Sequence, residues 1–455
     1  MLTIVNPATE AILAQISEDN AGAIASKAAY ARAAQRQWAQ TSLAERCQII
    51  GRFQELLAIH REAHAQTLTA EVGKPITQAR AEIRATGDRL DFFLKHTAAA
   101  LTPAIVWTEP TLTEEITWEP LGLVANISAW NYPYFVGSNV FIPALLAGNA
   151  VLYKPSEFAT LTGQAIAQRL QEAGLPDGLF QLIVGDGATG AALLEQPVDG
   201  IFFTGSHATG RRIAAAAAKQ LTKVQLELGG KDPAYVCEDV DLATAAASLA
   251  EGAFYNNGQS CCAVERIYVQ QQIYEPFVAA FLETVHGFKL GDPTLDNTDL
   301  GPLTRVVQQA VLTQQIQDAV ERGAKLLCGG QPILGAGYFF EPTVLSEVNH
   351  SMTVMQAESF GPVIGIQRVA DDVEAVRLMA DTPYGLTAGV YTRDRQRAIA
   401  ILKQLPVGSA YWNCCDRVSP RLPWSGRGHS GLGLTLSTHG IRAFAQPKAW
   451  HLRSA

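Results

Sequence analysis

The stretch LVANISAWNYPYFVGSNVFIPALLAGNAVLYKPSE, Leu123 to Glu157, decides the fold class. Leu123 to Ala129 is a short, almost wholly apolar run, as expected of a strand buried on both faces. Helical spacing follows from Val136 to Ala147, then a second strand from Ala150 to Lys154. The alternation continues with a helix from Thr160 to Ala173, a strand from Gly178 to Val184, a helix from Thr189 to Leu194 and a strand from Gly200 to Thr204. Strands and helices trading places at this spacing predict an α/β fold with a parallel sheet covered on both faces. Such sheets bind ligands at the carboxyl ends of their strands. The last strand runs into Gly205, Ser206 and Gly210 ahead of a helix from Arg211 to Gln220, a turn able to present N–H groups to a pyrophosphate.

On the N-terminal side, an extended start at Leu2 to Val5 precedes a region from about Ala21 to Leu101 with helical spacing. Ile49, Ile50, Phe53, Leu56 and Leu57 share one stripe there, which predicts a helical layer packed on the sheet. From Ile105 the period drops to two through TLTEEITWEPLG, a hairpin arm. Beyond Lys231 a second α/β region extends to about Pro420, with helices near Leu242–Phe254, Tyr274–His286, Arg305–Arg322, Val373–Asp381 and Asp394–Leu405. The glycines of Ser425 to Gly433 predict a loop that closes over a site.

A chain of 455 residues exceeds one core, and 48% hydrophobic against 17% charged residues excludes disorder. The net charge of -8 and the lack of a basic tract argue against nucleic acid as partner. Seven scattered cysteines, two pairs of them adjacent, make a poor disulfide framework and suit a reducing compartment. With no secretory signal in MLTIVNPATE and no apolar run long enough for an integral membrane segment, a cytoplasmic location is expected.

Two further stretches carry chemistry. FYNNGQSCCAVER, Phe254 to Arg266, sets Cys261 and Cys262 after a Gly-Gln-Ser turn and before a strand. VQLELGGKDP, Val224 to Pro233, strands Glu227 among apolar neighbours. A thiol at a loop mouth and a carboxylate beside glycines suggest covalent acyl chemistry followed by hydrolysis. A salt bridge to Lys154 or Lys231 is the competing account of Glu227, and plain packing that of the cysteines.

Seven ordered motifs then carry a resemblance over nearly the whole chain: WNYPY at Trp130, KPSE at Lys154, FTGS at Phe203, LELGGK at Leu226, NNGQSC at Asn256, ESFGP at Glu358 and PWSG at Pro423. The chain resembles the aldehyde dehydrogenase superfamily. The resemblance implies two parallel α/β domains plus a β-hairpin oligomerisation arm. It divides the chain into a nucleotide-binding domain at 1–101 and 121–229, a catalytic domain at 230–430 and an arm at 102–120 and 431–455. It implies NAD(P)-dependent oxidation of an aldehyde to an acid through a cysteine thiohemiacetal and thioester. Cys261 matches the nucleophile, Glu227 the base and Asn131 the oxyanion donor, beside the backbone N–H of Cys261. Lys154 and Glu157 match the adenosine-ribose pair, which favours NAD over NADP because a carboxylate repels a 2′-phosphate. Gly205 and Ser206 match the pyrophosphate contact, Glu358 and Phe360 the nicotinamide-ribose side, and Trp130 a wall; no metal site is assigned. Ala357 stands where the family usually has an acidic residue before the ribose carboxylate. A homodimer or homotetramer is implied.

Tyr132, Phe135, Tyr255, Val418 and Trp424 are the residues expected to face the aldehyde tail, with Cys262 lining the pocket or forming a vicinal disulfide on oxidation. As a set they favour a hydrophobic aliphatic, aromatic or isoprenoid-like aldehyde. Succinate-semialdehyde members hold the distal carboxylate with arginines at the positions of Asn139 and Tyr255, so that specificity would require Arg417 or Arg421 instead. A CoA-dependent acyltransferase or thioesterase using the same thiol is the alternative of a different class.

Overall fold

The computed structural model describes residues 1–454. The first of its two large sheets runs in the order Gly431–Leu432, Lys223–Leu228, Gly200–Gly205, Leu123–Ile127, Ala150–Lys154, Phe180–Leu182. All neighbours are parallel except the Gly431–Leu432 edge, which is antiparallel to Lys223–Leu228. Leu123–Ile127 is central. The chain leaves it toward Ala150–Lys154 on one side and later returns to Gly200–Gly205 on the other. A crevice therefore opens at their carboxyl ends, where the sheet changes direction.

The helical layer consists of Ala21–Trp38, Leu43–Ile59, Arg61–Val72 and Ile76–Ala100. Asn20 and Ser42 cap the first two, accepting from the backbone N–H groups of Ala23 and Glu45. Of the predicted stripe, Ile49, Ile50, Phe53 and Leu57 are buried and Leu56 packs at its edge, in one core shared with the first sheet.

The second sheet has the order Lys325–Cys328, Thr343–Ser346, Val363–Val369, Val264–Gln270, Asp232–Val236, Thr387–Tyr391, Ser409–Trp412, parallel apart from its first strand. Separate apolar clusters cover its two faces. A third sheet joins Ala104–Glu109, Leu112–Pro120 and Ala445–Arg453 in antiparallel register. Ala455, the last residue of the expected arm range, lies outside the described residues.

Three details differ from expectation. The predicted strand from Gly178 to Val184 shortens to Phe180–Leu182. The helix expected from Arg211 begins at His207, because Ser206 accepts from the Thr209 N–H and caps it there. The loop from Ser425 to Gly433 is not a free flap. Gly431 and Leu432 pair with Glu227 and Leu226 as an edge strand. Gly431 makes that approach at φ 145°, with the Leu226 carbonyl where a Cβ would stand.

The strand Lys223–Leu228 passes through Gly229, Gly230 and Lys231 directly into Asp232–Val236. The carboxyl ends of the first sheet thus meet the amino ends of the second, and the chemistry-bearing stretches gather at that junction.

Candidate active site

The cysteine loop is built from left-handed backbone. After the helix Leu242–Phe254, Asn256, Asn257 and Gly258 all take positive φ, at 53°, 56° and 67°. Asparagine and glycine tolerate this region best. Gln259 then locks the turn: its side chain donates to the Asn256 carbonyl at 3.2 Å and accepts from the Thr304 N–H at 3.0 Å. The Gln259 carbonyl accepts from the side-chain amides of Asn131 at 3.0 Å and Asn256 at 3.2 Å. Asn131 is buried, and this bond uses one of its two amide hydrogens. The backbone N–H of Cys261 has no acceptor among the described residues. Cys261 is partly exposed, whereas Cys262 is buried and its thiol donates to Asp416 at 3.0 Å. The bond with Cys261, burial and the Asp416 charge together hold the Cys262 thiol well above its ordinary range. No disulfide joins the two cysteines.

Glu227 is buried near the end of its strand, where Thr435 and Gln225 both donate to Oε1, the latter at 3.2 Å. Burial pushes its carboxyl up to about 7 against the pull of Thr435, Arg89 and Gln225. The salt-bridge account fails: Lys231 pairs with Glu265, and neither Lys231 nor Lys154 lies within ion-pair range of Glu227.

Cys261 and Glu227 line one cavity of about 380 Å³ together with Tyr132, Phe135, Tyr255, Cys262, Val418 and Trp424. Asn131 is not on that lining and reaches the site through the Gln259 carbonyl. Tyr132 and Phe135 stack with centroids 5.9 Å apart. The wall is less apolar than expected. Glu82, Arg89 and Asp416 line its inner part, while Arg84, Asp88, Glu251 and Arg417 stand exposed at its mouth. The Lys74 ammonium lies 3.8 Å from the Tyr132 ring centre and pairs with Glu82, whose other oxygen accepts the Tyr134 N–H at 3.0 Å. Arg421 is exposed and away from the cavity. Glu82 and Arg89 escaped sequence reading because they sit where helical spacing reads them as a solvated face, and Lys74 because it falls in the short connection between two helices.

The cofactor candidates collect at the carboxyl ends of the first sheet. Lys154 is buried; its ammonium donates only to the Pro155 carbonyl, at 3.3 Å, so among the described residues it has no anionic partner. Glu157 opens the next turn and accepts from the Ser156 hydroxyl at 3.1 Å. Gly205 and Ser206 form the junction with the helix His207–Ala218. Across the crevice, Glu358 accepts the Gly230 N–H at 3.1 Å, and a Cβ on Gly229 would collide with its carboxylate. Burial and the Glu265 charge push Glu358 up to about 8. Phe360, at φ 49°, packs edge-to-face on Trp130 with centroids 5.6 Å apart. Glu265, unremarked in sequence, holds this turn by accepting the Ser359 and Phe360 N–H groups at 2.8 and 3.0 Å. A buried unpaired cation, a helix N-terminus and a glycine-floored carboxylate suit a dinucleotide with phosphate and ribose groups.

A profile of the Aldehyde dehydrogenase family matches residues 1–450. Betaine aldehyde dehydrogenase of Cereibacter sphaeroides is 35% identical over 453 residues, covering 98% of this chain and 93% of that protein. Betaine aldehyde dehydrogenase 1 of Rhizobium meliloti is also 35% identical, over 98% of this chain and 92% of its own. Among solved structures, lactaldehyde dehydrogenase from Escherichia coli superposes with a TM-score of 0.96 at 33% identity, covering 99% of this chain and 95% of that one. The NAD+ complex of betaine aldehyde dehydrogenase from Staphylococcus aureus gives 0.95 at 29% identity, covering 99% and 91%. With its fold and its whole length accounted for in this way, the chain belongs to the aldehyde dehydrogenase family.

Proposed function

We propose that the protein oxidises an aldehyde to a carboxylic acid with NAD, using Cys261 as nucleophile, Glu227 as base and Asn131 as oxyanion donor. The observation that carries this reading is one cavity onto which a partly exposed thiol and a buried carboxyl poised near neutrality both open. The Cys261 sulfur attacks the aldehyde carbon, and the resulting oxyanion receives the second amide hydrogen of Asn131 and the free Cys261 N–H. A bound nicotinamide dinucleotide supplies the hydride acceptor. Glu227 then takes a proton from water as the water attacks the thioester carbonyl, releasing the acid and the Cys261 thiolate.

Lys154 and Glu157 would hold the adenosine ribose, Gly205 and Ser206 the pyrophosphate, and Glu358 with Phe360 and Trp130 the nicotinamide side. Asn131→Ala is expected to lower kcat/KM about 10²- to 10³-fold, the usual effect of losing one oxyanion donor. A variant with an unchanged melting temperature and near-normal kcat/KM would remove Asn131 from that role. Because Glu157 repels a 2′-phosphate, NAD should exceed NADP in kcat/KM when the two are compared with one aldehyde. A preference for NADP contradicts the reading of Glu157.

Tyr132, Phe135, Tyr255, Val418 and Trp424 support an aldehyde with an apolar stem, aliphatic, aromatic or isoprenoid-like, and Cys262 acts there as a buried wall. The three-stranded sheet is proposed as the assembly arm of a homodimer or homotetramer, since Ile105, Val106 and Trp107 leave apolar side chains exposed on an edge strand. The division into nucleotide-binding, catalytic and arm portions, and a cytoplasmic location, belong to the same proposal. An acyltransferase would need CoA; formation of reduced nicotinamide from aldehyde and NAD without CoA separates the two.

A further inference from the structure

Arg89 is the one buried cation on the cavity wall without an anion of its own. It projects from the helix Ile76–Ala100 and is 4% exposed. Its guanidinium lies 3.9 Å over the Phe135 ring centre, and Nη1 donates to the Asn139 side-chain oxygen at 2.7 Å. Its other N–H groups donate to no described residue, and neither Nε nor Nη2 is sealed off inside the protein. Among the described residues no carboxylate comes within 4.0 Å of it, for Glu82 is taken by Lys74 and by the Tyr134 and Phe135 N–H groups.

Asn139 extends the same donor surface. With its oxygen turned to Arg89, its amide N–H2 has no acceptor among the described residues, and Asn139 also borders the cavity. Burial pushes the guanidinium down only to about 10, so it keeps its charge at neutral pH. A purely structural arginine would have its fork filled by protein oxygens. This one is held flat by an aromatic ring and an amide, and leaves its free edge to the cavity.

We infer that Arg89, with the Asn139 amide, is a specificity-determining residue that receives a carboxylate at the far end of the aldehyde substrate. The substrate class is then a semialdehyde: an aldehyde group for Cys261, an apolar stem against Tyr132 and Phe135, and a terminal carboxylate. This rests on the functional reading above only in that the aldehyde end must reach the sulfur.

The test compares succinate, glutarate and adipate semialdehydes with butanal, pentanal and hexanal, matched in chain length, for wild type, Arg89→Lys and Arg89→Met. At the best length, wild type should favour the semialdehyde by about tenfold or more in kcat/KM, mainly through KM, as a charge-assisted forked contact requires. Arg89→Met should erase that preference, and Arg89→Lys, which keeps charge without the fork, should fall between. Calorimetric binding of the corresponding dicarboxylate and monocarboxylate to wild type and variants gives the same comparison without turnover. If wild type shows no preference at any length, or if Arg89→Met keeps it, the inference is overturned. Should Arg89→Met fail to fold, the wild-type ratios and Arg89→Lys decide. Absence of any aldehyde oxidation would count against the catalytic reading alone, and the dicarboxylate titration would still judge Arg89.

Discussion

Cys261→Ala is expected to abolish aldehyde oxidation, with a loss of about 10⁴-fold or more, since the step that makes the acyl-enzyme has no substitute nucleophile. The neighbouring thiol cannot take over. Cys262 is buried, its proton is committed to Asp416, and its surroundings keep it a thiol at neutral pH. Reduced nicotinamide formation followed by absorbance, with circular dichroism to establish folding, measures the effect. Mass spectrometry of wild type trapped with aldehyde should locate the acyl group on the peptide residue 261. Retention of activity in Cys261→Ala, lost instead in Cys262→Ala, would reassign the nucleophile.

Glu227→Gln should separate the two halves of the reaction. Glutamine keeps the size of the side chain and an oxygen for Thr435, so the strand and its edge partner stay in place. What goes is the ability to take a proton from water. Steady-state turnover should fall about 10²- to 10⁴-fold, the usual worth of a general base. The first turnover should survive as a burst of reduced nicotinamide, about one per active site, with acylated protein accumulating. The wild-type pH profile follows from the Glu227 carboxyl lying near 7. Only the ionised form is a base, so deacylation should decline about tenfold per unit as pH falls below that value. The variant should lack this limb. Full turnover by Glu227→Gln would exclude the residue as base.

The main architecture was legible because buried parallel strands and amphipathic helices leave strong periodic signals. Leu242–Phe254 and Tyr274–His286 fall on the expected residues. Short edge elements left no such signal. The hairpin strand Ile12–Ile16 and the two-residue edge Gly431–Leu432 owe their existence to partners distant in sequence. The same limit applies around the cavity. Motifs brought Cys261, Glu227 and Asn131 to notice, but Arg89 and Glu82 lie on a helix where a charge ordinarily faces water. Only the packing of Ile76–Ala100 against Pro133–Leu146 turns them inward. Glu265 was hidden in another way, inside a strand whose pattern suggests nothing beyond burial.

The pairing of Gly431 with Glu227 also bears on how the protein is made. Strand Lys223–Leu228 receives its last neighbour, and Glu227 its Thr435 bond, from residues 204 to 208 positions further along the chain. On the ribosome the cysteine loop and the parallel strands of the first sheet are made well before that partner emerges, and domains fold as they are synthesised. A nascent chain halted before residue 431 therefore carries the nucleophile while its base still lacks the strand that encloses it. Completion of the catalytic pair is a late event in biosynthesis, set by the arrival of the two-residue strand Gly431–Leu432 and of Thr435.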